Sequence, residues 1–434
     1  MERSLLSELY KWKMSVSRKP LILEGARQVG KTFLLKEFAQ QAYNKMAYIS
    51  CDNNEKISAI FSSDFNIVRL IQGLSAITSI DITPGDTLII LDEIQDCPKA
   101  LHALKYFCED APEYHIAVAG SLLGISLHTN ESFPVGKVDT LQLFPMTFDE
   151  FLLATSRQQL MQCLQSGDWQ LINALHGALT DALREYYFVG GMPAVVHSYI
   201  TEHSLIKVRA LQKEILLDYT NDFSKHAPIE QVPRIRLVWE SIPAQLAKEN
   251  KKFMYGVIRK GARATDFEMA LEWLMHAGLV YKVCRVNETR MPLKFYEENN
   301  VFKLFILDVG LMGAMVDTSP DQILALTSLM TEYRGAFTEL YVLSQLHAQH
   351  ITAYYHTTNN SQCELDFVIQ YNGQVIPIEV KAGENTHSKS LSTFLAKHPD
   401  LHAYRFSMKP YINQETITNY PLYAVGCLHA QNGI

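Results

Sequence analysis

One segment constrains the fold of this chain more than any other, because it fits the pattern GxxxxGK[ST]. It runs from Gly25 to Thr32, after the apolar run Leu21-Ile22-Leu23 and before a helical pattern over residues 33–40. A loop between a buried strand and a helix N-terminus offers backbone N–H groups to phosphate oxygens. The segment therefore predicts a nucleoside triphosphate site, and a chance turn with the same spacing is the less favoured interpretation.

The residues of this loop have distinct expected roles. Lys31 would reach the outer phosphates as a catalytic cation, and Thr32 would hold Mg²⁺ through its hydroxyl. The predicted cofactors are therefore ATP and Mg²⁺. The residues expected to bind ATP are Gly25, Ala26, Arg27, Gln28, Val29, Gly30, Lys31 and Thr32.

Two later apolar runs end in residues that suit phosphate chemistry. Residues 87–91 lead into Asp92, which would hold Mg²⁺, and Glu93, which would orient the attacking water. Residues 115–119 lead to Ser121, a candidate catalytic sensor of the terminal phosphate. The alternatives are a solvated loop at Asp92 and Glu93 and a helix cap at Ser121. Apolar runs that alternate with helical patterns predict a parallel sheet flanked by helices, with the ligand at the carboxyl ends of the strands.

Length and composition set the outer limits. At 434 residues the chain is long for one core, and a prior of about 150 residues per domain favours several domains. No run approaches the roughly 20 apolar residues that span a bilayer, and the first residues lack the features of a secretion signal. We therefore expect a cytoplasmic protein with no membrane insertion. The formal net charge of −7 argues against indiscriminate nucleic-acid binding, so any DNA contact must be local.

The middle of the chain contains a helical region and then a strongly basic segment. Residues 231–290 suggest three short helices and a hairpin, a pattern that suits a winged helix. Basic residues with interleaved aromatics between Lys248 and Thr265 could contact DNA phosphates. A solvated helix face, or a contact with an acidic domain, is the alternative. The candidate DNA contacts are Lys251, Lys252, Arg259, Lys260 and Arg263.

The C-terminal third carries a second constellation of charged residues. Asp366 lies in one predicted strand, and Glu379 and Lys381 lie in the next, two residues apart and therefore on the same face. Glu339 lies upstream, in a predicted helix that can reach the same site. Two carboxylates can hold Mg²⁺, and a nearby lysine can stabilise charge on a phosphate. A salt bridge between these acids and Lys381 is the alternative.

These motifs resemble two known groups of proteins. The chain is similar from end to end to prokaryotic AAA-type ATPases of the extended kind, which have a helical middle and a C-terminal domain of unassigned function. The order Glu339, Asp366, Glu379, Lys381 is similar to the PD-(D/E)xK nuclease superfamily. The first resemblance rests on Gly25–Thr32, Leu91–Gln95, Ala119–Ser121, Leu143–Phe151 and Val189–Pro193.

The first resemblance also implies an oligomer. AAA-type ATPases commonly complete the site with an arginine from a neighbouring subunit, which implies a homo-oligomer such as a hexameric ring. The family usually has Gly-Arg before the segment that begins at Leu143, whereas this chain has Gly136-Lys137. Lysine lacks the planar fork of arginine, so Arg157 or Arg184 could supply the cation instead.

The predicted fold class is α/β, with four segments. A P-loop NTPase domain over residues 1–155 is followed by a helical lid or linker over 156–230, a winged-helix-like domain over 231–295 and a restriction-endonuclease-like domain over 296–434. The predicted function is Mg²⁺-dependent ATP hydrolysis that acts on DNA, branched or broken DNA included, with nuclease activity left open. The alternative is a nucleotide-controlled switch that binds a protein partner and has no nuclease activity.

Overall fold

The computed structural model describes residues 1–121, 133–248, 250–320, 331–358, 363–383 and 389–428. Contacts between Cα atoms divide the chain into two compact units. The N-terminal unit covers Glu2–Phe144 and also takes in His276–Gly278. The C-terminal unit covers the chain from Pro145 onwards apart from those three residues.

The N-terminal unit contains the predicted parallel sheet. Its described strands are five, in the order β2-β3-β4-β1-β5, and each neighbouring pair is parallel. The strands are β1 (Leu21–Glu24), β2 (Lys45–Ser50), β3 (Thr87–Asp92), β4 (His115–Ala119) and β5 (Asp139–Gln142). The helices are α1 (Leu5–Met14), α2 (Lys31–Ala42), α3 (Glu55–Ser63), α4 (Ile67–Thr78) and α5 (Pro98–Asp110), with a short 3₁₀ helix at Ile94–Asp96. The predicted parallel sheet flanked by helices is confirmed.

Both faces of this sheet are buried, which explains its continuous apolar runs. Ile89 and Leu91 of β3 belong to a core cluster with Phe61 of α3, Leu74 of α4 and Phe107 of α5. Helix α2 contacts β2, β3 and β4. Because side chains alternate along a strand, helices on two faces require apolar residues at nearly every strand position.

The C-terminal unit begins with helices. They are α6 (Phe148–Ala154), α7 (Gln158–Ser166), α8 (Trp169–Ala174), α9 (His176–Val189), α10 (Pro193–Glu202), α11 (Leu205–His226), α12 (Val232–Leu246), α13 (Tyr255–Ile258) and α14 (Ala264–His276). The structure describes three more later in the chain: α15 (Val309–Met315), α16 (Thr331–Ala348) and α17 (Lys389–Lys397). No helix in the described part of the chain is both long enough and apolar enough to cross a membrane.

A mixed sheet forms the rest of this unit. Its described strands are eight, in the order β12-β13-β11-β10-β9-β8-β6-β7. They are β6 (Val280–Val286), β7 (Glu297–Ile306), β8 (Ala353–Thr357), β9 (Glu364–Tyr371), β10 (Gln374–Val380), β11 (Ala403–Ser407), β12 (Ile412–Asn413) and β13 (Ile417–Pro421). Short 3₁₀ helices lie at Leu293–Tyr296 and Leu422–Cys427.

The helices and hairpin expected of a winged helix are present locally. Helices α12, α13 and α14 precede the antiparallel pair β6 and β7. That hairpin is one end of the eight-stranded sheet, because β6 also pairs in parallel with β8. The expected boundary at 295/296 therefore falls between two paired strands, and the four-segment division stays a prediction.

A buried carboxylate explains the Gly190-Gly191 break between α9 and α10. Asp308 Oδ2 accepts a 2.6 Å hydrogen bond from the backbone N–H of Gly191, and Oδ1 accepts one from that of Leu311. A Cβ atom at Gly190 would lie 2.3 Å from Asp308 Oδ1, and one at Gly191 would lie 2.2 Å from the Met146 carbonyl oxygen. The two glycines allow backbone and carboxylate to approach this closely.

A second acid, Asp149, has one inaccessible carboxylate oxygen and gives a prediction about how stability depends on pH. Burial raises the pKa of Asp149 from 3.8 to about 6, the nearby Glu150 adds to this shift, and the Oδ1 atom has no hydrogen-bond partner. Ionisation therefore costs folding free energy, and this cost grows as the pH rises from about 4 through 6. We expect Asp149→Asn to stabilise the protein more at pH 8 than at pH 5, by about 1–2 kcal/mol.

Thermal melting of the variant and the wild type at both pH values measures this difference. Asp400→Asn, which changes an exposed acid in the same unit, is the control and should show no such pH dependence. A constant difference between wild type and Asp149→Asn from pH 5 to pH 8 would contradict the prediction.

Candidate functional site

Backbone conformation shapes the loop between β1 and α2. Gly25 has a φ of 147°, Gln28 of 67° and Gly30 of 95°, all in the region that favours glycine. A Cβ atom at Gly25 would lie 2.2 Å from the Leu143 carbonyl oxygen. Helix α2 begins at Lys31, directly after Gly30. The loop therefore lies at the helix N-terminus, as phosphate binding requires.

Lys31 is buried at the centre of the loop. Its Nζ donates hydrogen bonds of 2.8 Å to the carbonyl oxygens of Gly25 and Ala26. Burial lowers its pKa to about 8, and the carboxylates of Glu93 and Asp92 oppose that shift. The ammonium group thus lies against the loop backbone, where phosphate oxygens would compete with the two carbonyls for its protons.

Thr32 and Asp92 form a pair that fits Mg²⁺. Thr32 Oγ1 donates a 2.7 Å hydrogen bond to Asp92 Oδ2, and the backbone N–H of Glu93 donates to Oδ1 at 3.1 Å. A hydroxyl and a carboxylate are oxygen donors of the kind that Mg²⁺ prefers. Bound there, Mg²⁺ would neutralise charge on the phosphates.

Glu93 follows β3 in a left-handed backbone conformation, with a φ of 50°. Its Oε2 atom accepts hydrogen bonds from Gln95 Nε2 at 2.6 Å and from Ser121 Oγ at 3.4 Å. Ser121 therefore contacts the proposed water-orienting carboxylate, in addition to any contact with phosphate. Gln95 is not among the predicted site residues, although it lies only two residues after Glu93.

Tyr48 also contacts the site, although it is not among the predicted site residues. Its hydroxyl donates a 2.9 Å hydrogen bond to Asp92 Oδ2, the same oxygen that Thr32 contacts. In the parallel register, Tyr48 of β2 lies beside Ile90, two residues before Asp92. Only this strand pairing reveals the contact.

Each candidate arginine-finger residue has an acidic partner. Lys137 pairs with Glu109 at 2.8 Å. Arg157 pairs with Glu185, and Arg184 pairs with Asp181, at 2.8 and 2.9 Å. The identity of the finger stays a prediction.

Comparison with known proteins identifies the N-terminal domain. Residues 17–152 match a family model described as an AAA domain, and they include the loop, Asp92, Glu93 and Ser121. The N-terminal domain is an AAA-type P-loop ATPase domain. The prediction of an ATP hydrolase is thereby confirmed. Outside the ATPase domain, residues 180–322 and 334–426 match two domains of unknown function, DUF8612 and DUF4143. No curated protein matches the chain.

Three solved structures are among those that match this chain. A Walker-type ATPase of Pyrococcus abyssi is 15% identical, with 73% of this chain and 95% of that chain covered and a TM-score of 0.48. The Orc1 protein of Aeropyrum pernix, solved in complex with DNA, is 15% identical, with 75% and 94% covered and a TM-score of 0.31. The RuvB Holliday junction branch migration motor of Thermotoga maritima is 14% identical, with 69% and 89% covered and a TM-score of 0.28. Similarities this low do not transfer a function to the present chain.

The five predicted DNA-contact residues fall into two groups in the structure. Lys251 has a φ of 46°, its side chain is only 15% exposed, and its Nζ forms an ion pair with Glu339. The other four cations are exposed and form no ion pair within the described part of the chain. We call these four, which are Lys252, Arg259, Lys260 and Arg263, the basic segment.

The predicted nuclease residues do come together in the C-terminal unit. Glu339 of α16 and Glu379 of β10 are buried, and Asp366 of β9 interacts electrostatically with both. Asp366 Oδ2 accepts a 2.7 Å hydrogen bond from the backbone N–H of Val380, and Lys381 Nζ lies 2.5 Å from Glu379 Oε1. Burial raises the pKa of Asp366 to about 7, and the charges of Glu339 and Glu379 add to the shift.

Two further lysines neutralise this cluster of acids. Lys303 of β7 is fully buried, 2.8 Å from Glu364 Oε1 and 3.7 Å from Glu339 Oε2. Burial opposes ionisation of Glu339, but Lys251 and Lys303 outweigh it and lower its pKa. Over the described residues, no group of three His, Cys, Asp or Glu side chains is arranged to hold a metal ion. Lys303 is not among the predicted site residues, because it is a single charged residue in an apolar run and belongs to no motif.

Proposed function

We propose that this protein is a Mg²⁺-dependent ATP hydrolase that acts on DNA, with the C-terminal unit as its DNA-binding part. One observation carries the DNA assignment: the basic segment presents four exposed cations with no ion-pair partner among the described residues. No acidic residue lies between positions 252 and 263. In a chain of net charge −7, such a surface favours a local contact with phosphates.

The backbone that carries the basic segment is held in place. Phe253 is buried, its ring stacks on Phe302 at 5.2 Å, and its N–H donates to the Phe302 carbonyl oxygen at 2.8 Å. The side chain of Gln245 bonds to both the N–H and the carbonyl oxygen of Met254. Cations on a fixed backbone lose less conformational entropy when they bind phosphates.

The acidic cluster favours binding of DNA without cleavage. Its arrangement resembles a PD-(D/E)xK nuclease site, but Lys251, Lys303 and Lys381 already form ion pairs with Glu339, Glu364 and Glu379. Metal-assisted cleavage needs carboxylates that are available to a cation. We therefore propose a nuclease-like domain that binds and does not cut.

Within the ATPase domain the chain's own residues account for hydrolysis. With ATP and Mg²⁺ bound, Lys31 would contact the outer phosphates, Thr32 and Asp92 would hold Mg²⁺, and Glu93 would polarise the attacking water. The contacts from Gln95 and Ser121 to Oε2 fix the orientation of the Glu93 carboxylate. An arginine from a second copy, in a homo-oligomer such as a hexameric ring, would complete the site.

ATP turnover with Mg²⁺ tests this proposal when it is measured alone and with single-stranded, duplex and four-way junction DNA. We expect one DNA form to stimulate turnover severalfold and to remain uncut. The Lys31→Ala variant provides the blank in every reaction. Turnover that is indifferent to all three DNA forms would contradict the DNA assignment, and cleavage that Asp366→Ala abolishes would contradict the non-cutting role.

A nucleotide-controlled switch that binds a protein partner is the second candidate function. Two features favour it, namely the net charge of −7 and the acids that are paired with lysines. Both are expected of a protein that binds neither DNA nor a metal ion at the acidic cluster. The two candidates differ in reciprocal coupling. A DNA-coupled ATPase must also change its DNA affinity when nucleotide binds, whereas the switch must not.

A further inference from the structure

Tyr48 occupies a distinctive position in the nucleotide site. Its hydroxyl and that of Thr32 donate to the same oxygen of Asp92, at 2.9 and 2.7 Å. The other carboxylate oxygen accepts the backbone N–H of Glu93. Lys36 Nζ lies 3.5 Å from the centroid of the Tyr48 ring. Both oxygens of Asp92 are thus fixed by donors from the protein.

This arrangement controls where the lone pairs of the Thr32 hydroxyl point. A hydroxyl carries one proton, and the proton of Thr32 is committed to Asp92. Its lone pairs are then directed away from Asp92 and are available to a cation. If the Asp92 carboxylate rotated, Thr32 would lose this orientation, and Tyr48 opposes such a rotation.

We propose that Tyr48 is a positioning residue that sets the affinity of the nucleotide site for Mg²⁺. It acts through Asp92 and Thr32 and needs no contact with ATP. This inference rests on the proposed Mg²⁺ requirement. The alternative is that Tyr48 serves only to pack its ring against Lys36. The Tyr48→Phe variant distinguishes the two roles, because it keeps the ring and removes the hydroxyl.

Binding of a fluorescent, non-hydrolysable ATP analogue tests the inference, with Mg²⁺ titrated and with EDTA. We expect Tyr48→Phe to raise the Mg²⁺ concentration that gives half-maximal binding of the analogue about five- to tenfold. The reason is that the variant loses one hydrogen bond to a charged group. Affinity in EDTA should stay within about twofold of wild type, and high Mg²⁺ should restore full binding.

Tyr43→Phe is the matched control. Its hydroxyl is 2.8 Å from His115 Nδ1 and Lys13 Nζ lies 4.2 Å from its ring centroid, so it has the same features away from Asp92. An unchanged Mg²⁺ response in Tyr48→Phe, or an equal shift in Tyr43→Phe, would overturn the role of Tyr48. A wild type that ignores Mg²⁺ would instead overturn the Mg²⁺ requirement.

A double-mutant cycle gives a second, independent measure. If Tyr48 acts through Asp92, Tyr48→Phe should add no further shift in the Mg²⁺ response of an Asp92→Ala protein. An equal shift in both backgrounds would show that Tyr48 acts elsewhere. Thermal melting of each variant confirms that the domain is folded.

Discussion

Replacement of Glu93 with glutamine is expected to lower ATP turnover by about 10²- to 10⁴-fold, the range that a general base supplies. The side chain keeps its shape and can still accept hydrogen bonds from Gln95 and Ser121, but it loses the charge that polarises water. Nucleotide affinity should stay close to that of wild type. Single-turnover hydrolysis and equilibrium binding measure the two effects separately.

The matched control for this variant is Glu113→Gln, which changes an exposed glutamate in the same unit. It should leave turnover unchanged. Normal hydrolysis in Glu93→Gln would remove Glu93 from the catalytic account, and loss of nucleotide binding would show that the variant disturbs the loop and not only the base.

Neutralisation of the basic segment has the second large expected effect. We expect replacement of its four cations by glutamine to weaken DNA binding about 10³-fold at low salt. The slope of the logarithm of the binding constant against the logarithm of the salt concentration should become shallower by about 3 to 4. The reason is that each neutralised phosphate releases about one counterion. Lys251 stays unchanged in this variant, because its charge is paired with Glu339.

One control variant separates local contact from overall charge. It replaces four exposed cations elsewhere in the same unit, namely Lys225, Arg234, Arg290 and Lys397. It changes the net charge equally and should affect DNA binding far less. Equal losses in both variants would contradict a local contact, and an unchanged salt slope in the basic-segment variant would place the DNA on another surface.

The sequence predicted most of the N-terminal unit correctly. The runs at 21–23, 87–91 and 115–119 are strands, and the octapeptide lies between β1 and α2. These features are local: a strand buried on both faces needs a continuous apolar run, and a phosphate loop needs glycines at fixed spacing. Glu339, Asp366, Glu379 and Lys381 could be predicted as one group for a different reason, which is that their order resembles the PD-(D/E)xK pattern.

Other features depended on contacts between residues far apart in the chain. Asp308 meets the Gly191 backbone across 117 positions, and Lys251 meets Glu339 across 88. Neither Asp308 nor Lys251 belongs to a sequence motif that includes its partner. The pairing of Tyr48 with Asp92 likewise depends on which strand lies next to β3.

The sequence by itself determined the nucleotide chemistry of this protein, because a phosphate site is built from consecutive backbone groups and from residues at strand ends. Only the tertiary structure decided which charges are available to partners. Lys251 and Lys303 are themselves buried or largely buried and form ion pairs with Glu339 and Glu364, whereas Lys252, Arg259, Lys260 and Arg263 remain exposed. The physical reason is that a charged side chain is neutralised only where an opposite charge lies close to it in space. The order of residues along the chain does not specify which residues lie close together.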